Sequence, residues 1–74
     1  MKSNINYWIE KRGYKKKWVA KQLGVSNEVF SRWVNDKSIP SVENLFKLAA
    51  LLECKVDDLY TLEDKEKKAL PKLN

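Results

Sequence analysis

Val19-Ala20-Lys21-Gln22-Leu23-Gly24-Val25-Ser26-Asn27-Glu28-Val29-Phe30-Ser31-Arg32-Trp33 is the stretch that decides the fold. Val19, Ala20 and Leu23 share one side of a helix, and Gly24 ends it by taking the positive φ that glycine adopts without steric penalty. Ser26 is a good N-cap for a second helix, in which Val29 or Phe30 faces inward together with Trp33, and Phe30 and Trp33 fasten it to the first. Ala20 lies four positions before the glycine. Two helices that cross steeply over so short a turn bring their backbones together, and only a small side chain fits there. Val25 plugs the core from within the turn.

Outward from this pair, apolar residues keep helical spacing and no segment sustains a period-two alternation. Everything reads as helix. A first helix is expected over Ile5 to Arg12, with Asn4 as N-cap, Gly13 as terminator and Ile5, Trp8 and Ile9 as its stripe. The second covers Lys16 to Leu23 and the third Asn27 to Asn35. Pro40 holds Ile39 out of the helical region within the loop 37–41. Ser41 then caps a fourth helix, Val42 to Leu52, with Leu45, Leu48, Ala49 and Leu52 inward. Val56 to Tyr60 makes a short fifth helix with Asp57 and Asp58 in its first turn, where the dipole favours them. Residues 1–60 therefore form one all-α, five-helix domain, and residues 61–74 a charged tail, helical or frayed.

A chain of 74 residues has room for a single core. It contains no histidine, and Cys54 is its only cysteine, so disulfides, multi-ligand zinc sites and histidine-dependent catalytic triads have no residues to build them. Neither a cofactor nor an enzymatic activity is expected. Charge is more informative. Residues 1–37 carry nine basic and three acidic side chains, a net of +6, whereas residues 38–74 carry six basic and seven acidic. A basic half on a short two-helix unit points to a polyanion, and the arrangement is a helix-turn-helix, whose second helix enters a DNA major groove. No apolar run approaches the ~18 residues of a membrane span, and the first residues lack a signal peptide's apolar segment. One unpaired cysteine fits a reducing cytoplasm.

Three segments taken together resemble a known family. They are Val19 to Ser26, then Phe30-Ser31-Arg32-Trp33, then Pro40-Ser41-Val42-Glu43-Asn44-Leu45-Phe46-Lys47-Leu48-Ala49. In this order they resemble the XRE-type helix-turn-helix domains of phage Cro and repressor proteins, over about residues 5–60. The resemblance implies a five-helix, lambda-repressor-like domain that reads operator DNA, commonly as a dimer. It implies a repressor-like or Cro-like transcriptional regulator of a phage or mobile element, acting by operator occupancy through recognition helix 27–35.

Carried over position by position, Asn27, Glu28, Ser31 and Arg32 are the expected base readers. Arg32 suits guanine O6 and N7, Asn27 suits adenine, and Glu28 can accept from the cytosine amino group. The same resemblance assigns phosphate contacts to Lys15, Lys16 and Lys17, to Ser26 at the head of the recognition helix, and to Asn35, Lys37 and Ser38 behind it. Glu28 has a simpler reading as an acid serving its helix dipole.

Several residues depart from the family pattern. Lys15-Lys16 replace a capping Ser or Thr followed by Gln, and positive charge there opposes the dipole by some tenths of a kcal/mol unless phosphate repays it. Asp36 stands where glycine is frequent. Glu53 and Lys55 replace Gly and Ser before the fifth helix, which predicts a looser junction. Trp33 and Trp8 are expected in the core, and Trp18 against the first helix or the tail. Cys54 aligns with a buried site and reads as an inert thiol.

The sequence leaves the oligomeric state open; a homodimer would form through the fifth helix and tail, by Leu59, Tyr60 and Leu62 with Leu70 beyond them. The competing reading is a protein-interaction module, an antirepressor or co-regulator on the same scaffold. Charge-driven, non-specific nucleic-acid binding follows, and membrane binding ranks last because the lysines cluster beside a turn.

Overall fold

The computed structural model describes residues 1–62. Five helices form in chain order: α1 (Ile5–Arg12), α2 (Lys16–Leu23), α3 (Asn27–Val34), α4 (Val42–Leu52) and α5 (Val56–Leu59). They enclose a core of Ile5, Ile9, Val19, Ala20, Leu23, Phe30, Trp33, Leu48, Ala49, Leu52 and Leu59. Ala20 is buried at the α2–α3 crossing as its size requires, and Val25 packs against the core from the turn. Leu45 is only partly buried.

The helix ends share one device. Gly13, Gly24, Asp36 and Glu53 each take a left-handed backbone, with φ of 74°, 71°, 61° and 55°. At each, the residue's own N–H returns to the carbonyl three positions back, and the next N–H reaches five back. These pairs satisfy the last carbonyls of α1, α2, α3 and α4. Glycine bears the conformation freely at two of the sites. At the other two an L side chain costs on the order of 1–2 kcal/mol, and each is secured by a long-range bond. Asp36 Oδ1 accepts the Ser3 N–H at 2.8 Å. Arg12 donates from Nε to the Leu52 carbonyl at 2.7 Å and from Nη2 to the Glu53 carbonyl at 2.8 Å. The junction before α5 is therefore tied across the molecule, contrary to the looser link that Glu53 and Lys55 suggested.

N-caps follow the sequence at Ser26 and Ser41, whose hydroxyls accept from Val29 N–H at 3.1 Å and Asn44 N–H at 3.2 Å. Asn4 precedes α1 without capping it through its side chain. Its amide instead donates to Thr61 Oγ1 at 2.7 Å and to the Asp58 carbonyl at 3.3 Å. Helical periodicity gave no sign of two further elements, the short strands β1 (Lys2–Ser3) and β2 (Tyr60–Thr61). They pair antiparallel, Lys2 with Thr61 and Ser3 with Tyr60. A two-residue strand is too short for any alternation to register, and the fold stays all-α.

Several expectations change. Helix α3 ends at Val34 rather than Asn35, and α5 at Leu59 because Tyr60 turns extended. Leu59 is fully buried in the chain's own core, so it is not available to an interface; Leu62 is half-buried and Leu70 lies outside the described residues. Trp8 is half-buried rather than central, because its indole N–H needs an acceptor and finds the Asp58 carbonyl at 3.1 Å. Trp18 packs against Tyr14 in the α1–α2 turn, with ring centroids 4.9 Å apart and planes tilted by 51°; its expected contact with the tail lies outside the described residues. Cys54 is half-buried, and burial with the Asp58 carboxylate pushes its thiol up, partly offset by Arg12. The tail from residue 63 onward lies outside the described residues.

Candidate nucleic-acid interface

Helix α3 is amphipathic by construction. Phe30 and Trp33 turn into the core, with rings 5.9 Å apart in an edge-on arrangement. The 3.6-residue repeat then puts Asn27 with Ser31 and Glu28 with Arg32 on the outer face, one turn apart. All four are exposed. The side chains of Asn27, Glu28 and Arg32 make no hydrogen bond or ion pair among the described residues, so their donors and acceptors remain available. Ser31 Oγ accepts from Asn35 Nδ2 at 3.1 Å, which leaves its hydroxyl proton free to donate outward. Glu28 also lies in the first turn, where it meets the helix dipole favourably.

Positive charge meets this face at its leading end. Lys16, Lys17, Asn27, Phe30 and Ser31 line one cleft of about 200 Å³ between the start of α2 and the outer side of α3. Two predicted phosphate contacts and two predicted base readers thus share a surface. Lys15 occupies the N-cap position of α2 without any capping bond from its side chain. The first-turn amides of α2 therefore lack a side-chain acceptor, and Lys15, Lys16 and Lys17 stand at that end of the helix. Trp18, 43% exposed on its Tyr14 partner, belongs to the same helix. Ser26 keeps its place at the head of α3. Its oxygen caps the helix and its hydroxyl proton points to no described acceptor.

At the trailing end, the amides of Lys37 and Ser38 both return to the Arg32 carbonyl, at 2.8 and 3.4 Å. Their backbone donors are turned inward, so any phosphate contact there is made by side chains. Asn35 holds Ser31, which joins a predicted phosphate contact to a predicted base reader. Asp36 and Arg12 were not among the predicted site residues, and only contacts 33 and 40 residues apart in sequence reveal their parts.

A fold of this kind, with an outward-facing third helix and lysines at its head, defines a DNA-binding helix-turn-helix domain. Residues 5–59 match the helix-turn-helix family model, and the chain belongs to that family, in its XRE-type branch. An uncharacterized HTH-type transcriptional regulator of Methanocaldococcus jannaschii is 30% identical over 66 residues, spanning 89% of this chain and all of the relative. A crystal structure of a candidate DNA-binding protein from Bacteroides fragilis superposes with a TM-score of 0.73 at 33% identity, covering 78% of this chain and 94% of that one. Among the described residues no helix is long and apolar enough to cross a membrane.

Proposed function

We propose that the chain is a sequence-specific duplex DNA-binding regulator of the repressor or Cro type, acting by operator occupancy from the cytoplasm. Residues 1–60 are the DNA-binding domain and 61–74 an appended tail. Helix α3 enters the major groove, and Asn27, Glu28, Ser31 and Arg32 read base edges. Lys15, Lys16, Lys17 and Ser26 at its head, and Asn35, Lys37 and Ser38 behind it, grip phosphates. The observation that carries this reading is the shared cleft, in which Lys16 and Lys17 meet Asn27 and Ser31. Its test is competition binding with Arg32→Ala and Asn27→Ala. Both should stay folded and lose discrimination at separate positions of the site; unchanged discrimination would refute the assignment.

A protein contact is the second reading, and one observation favours it. Val42 and Phe46, a helical turn apart on α4, are 69% and 63% exposed, with Ile39 beside them in sequence and also exposed. A second copy of the chain is the occupant a two-fold operator calls for, with α4 taking the role first given to Leu59. Sedimentation of the full chain and of Phe46→Glu tests it: a dimer that becomes a monomer supports the surface, and identical behaviour rejects it.

A further inference from the structure

Asp36 sits directly behind the recognition helix in a backbone conformation that suits glycine better, at φ 61°. Its carboxylate also stands one residue from Lys37, an awkward place for a negative charge if DNA phosphates pass there. Yet the side chain is used. Oδ1 accepts the Ser3 N–H at 2.8 Å, across 33 residues of sequence. Ser3 is fixed in turn, because it pairs with Tyr60 in the terminal ladder and its hydroxyl accepts the Ile5 N–H at 3.2 Å. The next residue continues the clasp, with Asn4 N–H donating to the Leu59 carbonyl at 2.8 Å. Ser3 thus joins Asp36 and Tyr60 in one cluster, bonded to the first and paired with the second; burial and the Asp36 carboxylate push the Tyr60 phenol up, and the Ser3 side chain partly offsets them. On its other side Asp36 leads straight into the turn that Lys37 and Ser38 close on the Arg32 carbonyl.

We propose that Asp36 is a positioning residue for DNA binding: by holding the Ser3 amide it anchors the loop 35–38 to the β1–β2 clasp and so sets Lys37 and Ser38 against the phosphate backbone. The inference rests on the DNA-binding reading above. It assigns the β1–β2 clasp a part in recognition without placing it on the DNA.

Charge and anchoring make opposite predictions, which separates them. If Asp36 were only a negative charge near phosphate, any neutral replacement would tighten binding, and all neutral replacements equally. Asp36→Asn and Asp36→Gly remove the same charge, and both residues tolerate a left-handed backbone. Only asparagine keeps an oxygen for the Ser3 N–H. The difference between these two variants therefore separates the anchor from charge, and because glycine also relieves the left-handed backbone, strain relief works against the loss expected of Asp36→Gly.

The experiment uses the full chain and a duplex enriched by the wild-type protein from a random pool. Affinity is measured for both variants from ~50 to ~200 mM salt, the range over which phosphate contacts reveal themselves. Helicity and Ser3 amide exchange are followed in parallel. Asp36→Gly is expected to bind about 3- to 10-fold more weakly than Asp36→Asn, in line with one lost anchoring hydrogen bond. It should also show a salt slope flatter by roughly 1, as for one lost phosphate contact. Its base preference should be unchanged and its Ser3 amide should exchange faster. Equal affinity and slope for the two variants, with the Ser3 amide freed in Asp36→Gly, would overturn the proposal, as would a Ser3 amide indifferent to the substitution. A pool that yields no enriched duplex would overturn the DNA-binding reading itself.

Discussion

Arg12 closes helix α4 from across the molecule, its guanidinium donating to the Leu52 and Glu53 carbonyls at 2.7 and 2.8 Å. The bond does for Glu53 what the absence of a side chain does for Gly13 and Gly24. It also lies under Trp8, whose ring is 5.3 Å from the guanidinium carbon, so the first helix, the α4 terminus and the indole are fastened together.

Arg12→Ala should therefore destabilise the domain by about 1–3 kcal/mol, since it strands two carbonyls of a helix end. Arg12→Lys should recover less than half of that, because an ammonium lacks the planar fork. Glu53→Gly should offset part of the loss by relieving the left-handed backbone. Chemical denaturation of the three variants, singly and combined, checks the ordering; full rescue by lysine would show that charge alone matters there.

How much of this was legible in the sequence differs by range. Gly13 and Gly24 announced their turns, Ser26 and Ser41 their caps, and the outer face of α3 followed from Phe30 and Trp33 pointing inward. Such signals are local, within one or two helical turns. Ser3 with Asp36, and Arg12 with Glu53, were illegible because the partners are decades of residues apart and neither residue type has a pattern of its own. Trp8 was misplaced for a different reason. Periodicity reports the side a residue faces but not that an indole N–H must end at an acceptor, here the Asp58 carbonyl.

Tyr60 gives a pH signature. Its hydroxyl is buried and makes no hydrogen bond of good geometry among the described residues, and burial followed by the Asp36 carboxylate raises its pKa from 10.0, with the nearby Ser3 side chain pulling weakly the other way. The unfolded phenol ionises first, so this group leaves stability unchanged below pH 10.0 and lowers it as pH climbs from there through the folded value. Tyr60→Phe should flatten that alkaline decline. At neutral pH it should be neutral or stabilising by up to about 1 kcal/mol, because an unsatisfied buried hydroxyl is removed. Thermal unfolding at pH 7 and pH 10.5 measures both, and a clear loss of stability at pH 7 would mean that the hydroxyl is satisfied in solution.

Cys54 should alkylate slowly near neutrality. Burial first, then the Asp58 carboxylate, hold its thiol above 9.0, while Arg12 pulls the other way. The rate with iodoacetamide should rise mainly above pH 9, and Arg12→Ala should slow the reaction further at pH 8 in the folded state. A fast neutral reaction would contradict the half-buried, protonated thiol.

Within the interface, base readers and phosphate contacts should separate by the kind of loss they cause. Arg32→Ala should cost about 1–3 kcal/mol at one position of the site and relax discrimination there. Lys16→Ala should weaken binding to all duplexes alike and flatten the salt slope by roughly 1. Titrations against the preferred duplex and a scrambled one distinguish the two; identical losses on both duplexes for Arg32→Ala would remove it from the reading set.

The central claim is that the exposed face of α3 reads sequence. Selection of bound fragments from a random duplex pool at ~150 mM salt, near physiological ionic strength, tests it most directly when wild type and Arg32→Ala are run side by side. The predicted result is an enriched motif for the wild type, two-fold symmetric with half-sites about one helical turn apart if the chain dimerises, and a motif degenerate at one position per half-site for the variant. Binding that falls with salt and enriches no sequence in either protein would contradict the claim.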